Sequence, residues 1–349
     1  MLARYGTSPD GKPVKKADIY TAEEHGIDPS AIDRDARRII GRLKRAGHKA
    51  FVVGGAVRDL LTGRTPKDFD IATDAVPRRI RKLFRHSRII GRRFRIVHVY
   101  VPRGSERKIF EVTTFRSGLA DEGNNVYGAM EEDVWRRDFS LNALFYCPDE
   151  QIIIDYVGGV KDIRQRRLRT LAPTEASFVE DPVRMIRGIK YSVFTGFALP
   201  TGITSVIRKH RGELASCSMA RLTEEVYKIL ACGHAAEIFS TIFQLGLLEV
   251  FLPALEVSLR ALGKRRSDAL LRENLVALDE RIRSGHSPEP SRGAMLAYLV
   301  KPVAQGWQSP PPPEDPGESL QAFLRETLLP LQPSRRELAQ AARRLLRRR

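Results

Sequence analysis

Two aspartates one residue apart, Asp68 and Asp70 in the run KDFDIAT, are the pair in this chain best suited to chemistry. Side chains alternate along a strand, so both carboxylates project from one face while Phe69 points into a core. Two carboxylates on one face repel each other unless a divalent cation sits between them. Mg²⁺ takes oxygen ligands, keeps several waters and commonly joins one or two carboxylates to substrate phosphates. Gly55, second of the pair Gly54 and Gly55, stands 13 residues before Asp68, between an apolar run AFVV and a short helical AVRDLLTG. Bare N–H groups opening a helix can face an anion with no side chain in the way, and Arg58 adds a cation one turn later. A phosphate seat therefore lies close in sequence to a carboxylate pair.

Metal-dependent phosphoryl transfer needs a further carboxylate from elsewhere in the chain. Glu111 lies in KIFEVTTF with Phe110 and Val112 on the opposite face, the same alternation that presents the two aspartates. Asp138 lies in VWRRDFSLNALFY beside Arg136 and Arg137. Spacing does not choose between them. Farther on, in EDPVRMIR, Pro182 suits a first helical turn, and Asp181, Arg184 and Arg187 follow at spacings of three along one face. An aspartate accepts from an exocyclic amine while an arginine donates, so such a pair can select a base with no template. His98 reads as a strand histidine rather than a base. Cys232 and His234, with no second pair, make a poor zinc site.

The elements that must position these groups change character along the chain. Residues 1–27 carry Gly, Pro and mixed charge without periodicity and read as a flexible arm. In DPSAIDRDARRIIGRLKRAG the apolar Ile32, Ala36, Ile39, Ile40 and Leu43 recur at helical spacing. Strand-like runs follow at AFVV, DFDIAT, residues 88–101, 108–115 and 151–157. After about residue 160 amphipathic helices dominate, as in ARLTEEVYKILACG and AAEIFSTIFQLGLLEVF. The expected fold is α+β: a mixed sheet with helices over 28–160, then an all-α neck (161–235) and body (236–308). A Pro-rich linker and an Arg-rich tail (309–349) close the chain, the last 16 residues reading as a fluctuating basic helix.

With 349 residues, 59 Lys plus Arg against 42 Asp plus Glu, and a net charge of +17, a polyanion is the default partner. No apolar run reaches membrane-spanning length, three cysteines do not make a disulfide framework, and no secretory signal opens the chain, so a cytoplasmic protein away from membranes is expected.

The ordered blocks GGAVRDLLTG with DFD, FEVTTFR, RRDFSLNAL, DYVGGVKDIRQRRLRTL, EDPVRMIRGIKY and ARLTEEVYKIL resemble the tRNA nucleotidyltransferase and bacterial poly(A) polymerase family, the class II branch of the polymerase-β-like nucleotidyltransferases. The resemblance covers roughly residues 25 to 300. It implies a nucleotidyltransferase head and template-independent addition to RNA 3′ ends, with two Mg²⁺ ions, or Mn²⁺ in their place. By the same resemblance Asp68 and Asp70 bind metal, and Asp138 has an active-site role. Gly54, Gly55 and Arg58 hold the triphosphate, Arg137 holds the sugar and phosphate region, and Asp181 with Arg184 reads the base. Glu111 matches a recurrent acidic position. The stretch IIGRRFRIVHVYV resembles the segment that separates poly(A) polymerases from CCA-adding relatives, which implies ATP and RNA 3′ ends as substrates. CCA or A addition to tRNA is the alternative. The part beyond residue 300 is short for a bacterial poly(A) polymerase, a departure from the family pattern that bears on RNA grip and processivity.

Overall fold

The computed structural model describes residues 2–7, 10, 12–91, 95–104, 106–117, 127–261, 263–285, 288–311, 313 and 315–347. Arg92 and Arg93 of the IIGRRFRIVHVYV stretch lie outside them. The chain divides into two compact units, Met1–Ala172 and Pro173–Arg349.

The strands of the first unit are, in chain order, β1 (Leu2–Thr7), β2 (Pro13–Tyr20), β3 (Ala50–Val53), β4 (Asp70–Thr73), β5 (Ser87–Ile90), β6 (Ile96–Arg103), β7 (Glu106–Thr114), β8 (Leu144–Cys147) and β9 (Ile152–Asp155). Side by side they run β1-β2-β9-β8-β3-β4-β7-β6-β5. Their pairings are antiparallel except that between β4 and β7. The central AFVV and LFYC strands are buried at every position, as continuous apolar runs require of strands covered on both faces.

Helices cover this sheet: α1 (Ala22–His25), α2 (Arg34–Arg45), α3 (Gly55–Leu61), α4 (Pro77–Leu83), α5 (Met130–Trp135) and α6 (Gly159–Arg164). Asp33 caps α2 through the Asp35 and Ala36 amides, and Ala36, Ile39, Ile40 and Leu43 form its buried face. One face of the sheet packs Phe51, Val53, Ala72 and Phe145 against Met130 and Val134 of α5.

Three expectations change here. The opening arm is two strands: Asp18, Ile19 and Tyr20 pair with Asp155, Ile154 and Ile153, a partner too distant in sequence for local pattern to reveal. The strand after Phe69 starts at Asp70, so Asp68 precedes it. The first unit also runs past residue 160 to Ala172, because Thr170 bridges Phe139 and the Ser140 amide donates to the Arg169 carbonyl at 3.0 Å.

The second unit is helical: α7 (Thr174–Glu180), α8 (Val183–Thr195), α9 (Thr201–His210), α10 (Met219–Leu230), α11 (Ala235–Gln244), α12 (Leu248–Phe251), α13 (Pro253–Ala261), α14 (Lys264–Arg283), α15 (Arg292–Ala304), α16 (Pro316–Thr327) and α17 (Arg335–Leu346). Gly246, at φ 75°, separates α11 from α12 within what the apolar pattern reads as one helix. The basic tail is a packed helix. Ser334 and Glu337 form a capping box, and Leu338, Ala341 and Ala342 are buried. The Arg344 guanidinium donates to the Tyr298 hydroxyl at 2.8 Å. A Cβ on Gly293 would overlap the Glu337 carbonyl, so α15 and α17 touch backbone to backbone. Among the described residues no helix is long and apolar enough to cross a membrane.

Candidate active site

Asp68 and Asp70 are both exposed and flank Phe69, which is buried. Asp70 pairs with Val53 on β3, the residue just before the glycine pair. On its other side β4 runs parallel to β7 with Ile71 opposite Val112, so one step back along both strands Asp70 stands beside Glu111. Glu111 also faces His98 across β6, with 3.5 Å between Oε1 and Nε2. The sheet therefore sets Glu111 level with Asp70, although among the described residues no three acids cluster closely enough to hold a metal by themselves.

Asp138 is placed differently. It is buried, and its Oδ1 accepts from the Phe139 amide at 2.8 Å and from Asn142 Nδ2 at 3.2 Å. Those bonds pin the turn from 138 to 142, whose Asn142 ties Asp138 to the glycine elbow.

Gly54 has φ 67° and ψ −127°, a conformation open essentially to glycine alone. A Cβ there would meet Arg137 Nη1 at 3.4 Å, and one on Gly55 would meet Arg58 Nη2 at 3.4 Å. Two guanidiniums thus line the elbow. Arg137 donates to the Asn142 carbonyl at 3.1 Å and to Asp133 at 2.9 Å, and lies 5.2 Å from the Phe145 ring centroid. Arg58, expected to meet phosphate directly, is buried instead. Its Nε and Nη2 donate to Asp59 at 2.9 and 2.7 Å, and its Nη1 to Asn142 Oδ1 at 2.8 Å. Burial pushes the Asp59 carboxyl up, against the pull of Arg58. Arg58 is thus engaged inside the wall of the elbow.

Sequence reasoning missed three residues of this neighbourhood. Asn142 stands four residues after Asp138, and Asp133 four before Arg137, each pair at the spacing of one helical turn. Arg116, last residue of FEVTTFR, is half-buried with Arg136 and Arg137 near it; burial first, then Arg136, pulls its guanidinium below its usual range. Asp133 accepts from the Arg116 amide at 3.3 Å.

The DYVGG block is architectural. Asp155 Oδ1 accepts from the amides of Val157, Gly158 and Gly159, and Oδ2 from that of Val160, all within 3.0 Å. A Cβ on Gly159 would overlap the Ser140 carbonyl, so this glycine lets α6 settle on the turn that carries Asn142.

In the second unit Asp181 Oδ2 accepts from Arg221 Nη2 at 2.7 Å and lies 4.0 Å from Arg184 Nε. Asp181 and Arg184 are thus neighbours, with Arg221 of ARLTEE as an unforeseen closer partner of the carboxylate. Arg184 is buried and also donates to Glu180 at 2.9 Å and Ser177 Oγ at 3.0 Å. Arg187 turns to the Tyr191 hydroxyl, at 2.9 Å. The other oxygen of Asp181, Oδ1, is buried with no hydrogen-bond partner among the described residues.

Beneath them Glu225 and Lys190, both buried, pair at 2.7 Å. Burial alone would raise the Glu225 carboxyl, but Lys190, Arg187 and Lys228 outweigh it and hold it below its usual range. A carboxylate depressed in the folded state adds stability above its unfolded pKa of about 4.3 and loses it as pH falls below that value. Glu225→Gln is expected to lower stability by about 2 kcal/mol at neutral pH and to flatten part of the acid-side fall in melting temperature. Melting curves of both proteins between about pH 3 and 7 check this.

Residues 50–169 match the Poly A polymerase head domain family, and residues 196–259 match the family described as the probable RNA and SrmB-binding site of polymerase A. Poly(A) polymerase I of Escherichia coli O157:H7 is 34% identical over 307 residues, 82% of this chain and 65% of that protein. The Haemophilus influenzae enzyme of that name is 35% identical over 280 residues, 76% of this chain and 61% of the relative. The chain thus spans just under two thirds of the length of these relatives. The CCA-adding enzyme of Geobacillus stearothermophilus is 38% identical over 229 residues, 64% of this chain and 55% of that one. Among solved structures, the Bacillus stearothermophilus CCA-adding enzyme in complex with CTP matches with a TM-score of 0.55 at 27% identity, over 90% of this chain and 82% of its own. By its head domain, its helical unit and these relatives, the chain belongs to the nucleotidyltransferase family that unites bacterial poly(A) polymerases with CCA-adding enzymes.

Proposed function

We propose that this protein transfers AMP from ATP to RNA 3′ ends without a template, releasing pyrophosphate. The observation that carries the reading is the Asp68 and Asp70 pair at the head of β4, with Glu111 on the next strand and the Gly54 elbow on the previous one. The donor set, two exposed carboxylates one residue apart, suits a hard, oxygen-seeking cation. That is the pattern of Mg²⁺ sites completed by water and substrate phosphates. Asp68 and Asp70 would hold the ion, and Glu111 is the further carboxylate that register favours over Asp138. When bound, the metal lowers the cost of ionising the RNA 3′-hydroxyl and stabilises charge on the departing pyrophosphate.

The chain's own groups do the rest. Gly54 and Gly55 leave room for the triphosphate beside Arg137, and the buried Arg58 with Asp59 and Asn142 holds that elbow rigid. Asp181 Oδ1 offers an acceptor to an adenine amine, and Arg184 a donor beside it. The wider coverage by poly(A) polymerases, 82% of the chain against 64% for a CCA-adding enzyme, supports polyadenylation.

Supplying one labelled nucleotide at a time, with Mg²⁺, to RNA unrelated to tRNA and to tRNA lacking its terminal CCA tests the proposal. Long tails from ATP on both are expected. One to three additions confined to tRNA would instead make this a CCA-adding or A-adding enzyme, and RNA binding with no incorporation would leave a non-catalytic scaffold.

A further inference from the structure

Helix α4 of the first unit carries charge that no acid among the described residues pairs with. Residues 76–90 contain six Arg or Lys and no Asp or Glu. Arg78, Arg79, Arg81, Lys82 and Arg85 are all exposed, and none pairs with an acid among the described residues. Pro77, Ile80 and Phe84 form the buried side of this segment, so Arg78, Arg81 and Lys82, three and four residues apart, share the outer side. Like charges at those spacings repel. Arg78 and Arg79 occupy the first turn, where no acidic residue stands and the helix dipole disfavours cations. Each choice costs the isolated helix stability.

Neighbouring α2 extends the surface. Its Arg42 is exposed, and the guanidinium lies 5.2 Å from the Phe84 ring centroid. Acids on the adjoining elements are engaged: Asp35 of α2 accepts from Arg103 at 2.9 Å, and Asp74, just before α4, accepts from the Lys49 amide at 3.0 Å and contacts His48. The segment offers little to a protein interface, since Val76 is its one large exposed apolar side chain among the described residues. Cations without an apolar centre suit a phosphate backbone instead.

We infer that α4, with Arg42 of α2, is a sequence-independent contact for the RNA backbone, separate from the carboxylate site. Asp70 opens β4 while α4 follows the far end of that strand, so the contact engages RNA upstream of the reacting 3′ end. The inference takes from the proposed function only that RNA is the substrate. It supplies a grip that does not depend on the tail, which is built into the helical unit.

The test is the full-length triple variant Arg78→Ala, Arg81→Ala, Lys82→Ala, compared with the unaltered protein in binding a labelled single-stranded RNA of about 25 nucleotides across a KCl series. Each phosphate contact on a single strand adds about 0.7 to the slope of log affinity against log salt. The variant should lose about 2 from that slope and bind at least about tenfold more weakly at low salt. Binding of an ATP analogue without RNA and the melting temperature should stay unchanged. Unchanged RNA affinity and slope would overturn the inference. So would loss of binding to polyglutamate with RNA binding intact, which would make α4 an acidic-protein contact. Because the readout is binding, it stands whether or not the protein incorporates AMP, so this inference and the proposed activity fail separately.

Discussion

Asp70→Asn is expected to lower adenylate incorporation by a factor of at least ~10³, about 4 kcal/mol of transition-state stabilisation, and to leave the folded protein intact. Asp70 is exposed at the mouth of the sheet, so its charge is not part of the core. Asparagine keeps the shape and the backbone pairing to Val53 but removes half of the carboxylate pair that would hold Mg²⁺. With Asp68 two residues away and Glu111 on the next strand, removing one negative charge relieves repulsion, so the melting temperature should hold or rise slightly. Single-nucleotide incorporation from ATP and a melting curve on one preparation are the measurements. Robust Mg²⁺-dependent incorporation by this variant would remove the aspartate pair from the mechanism.

The opposite profile is expected of Asp162→Ala. Asp162 is completely buried. It accepts from Arg167 and from Arg169 Nε at 2.7 Å, and Arg169 in turn holds the Val157 carbonyl. Burial would raise its carboxyl, but Ser140, Arg169 and Arg167 hold it below its usual range. Taking one partner from a buried charge network costs about 3 to 5 kcal/mol. Both arginines retain access to solvent, which puts the loss near the lower figure, a drop in melting temperature of roughly 6 to 12 °C. Incorporation measured well below the melting transition should stay within a few-fold of the parent. Lost activity with unchanged melting would mean that Asp162 acts in the chemistry and that the DYVGGVKDIR block is more than a brace.

Much of this fold is legible in local pattern because the informative interactions are local. The AFVV run, the alternation around Glu111 and the apolar spacing of α2 each mark an element whose inner face is written within a few residues. Strand β8 escaped notice because LFYC follows directly on the RRDFSLNA turn and has no alternation of its own. β1 and β2 escaped because LARYGT, at the sheet edge, and PVKKADIY, beside it, are mostly exposed and are tied to the sheet only through the pairing of β2 with β9. The tail was read from its charge, whereas its small Ala341 and Ala342, closing against α15, set its state.

For the site, residue type and spacing alone singled out the aspartate pair and marked the glycine elbow and the Asp181 and Arg184 couple as candidates, since each depends on neighbours within a few positions, and the family resemblance supplied their expected roles. Tertiary structure alone shows where Arg58, Asp138 and Glu111 are placed. Arg58 turns inward because Asp59 and Asn142 satisfy it, and Asp138 spends its Oδ1 on Phe139 and Asn142. Glu111 joins Asp70 because β4 and β7 run parallel with Ile71 opposite Val112. Register between strands some forty residues apart is set by the sheet's packed faces, and no short stretch of sequence carries that information.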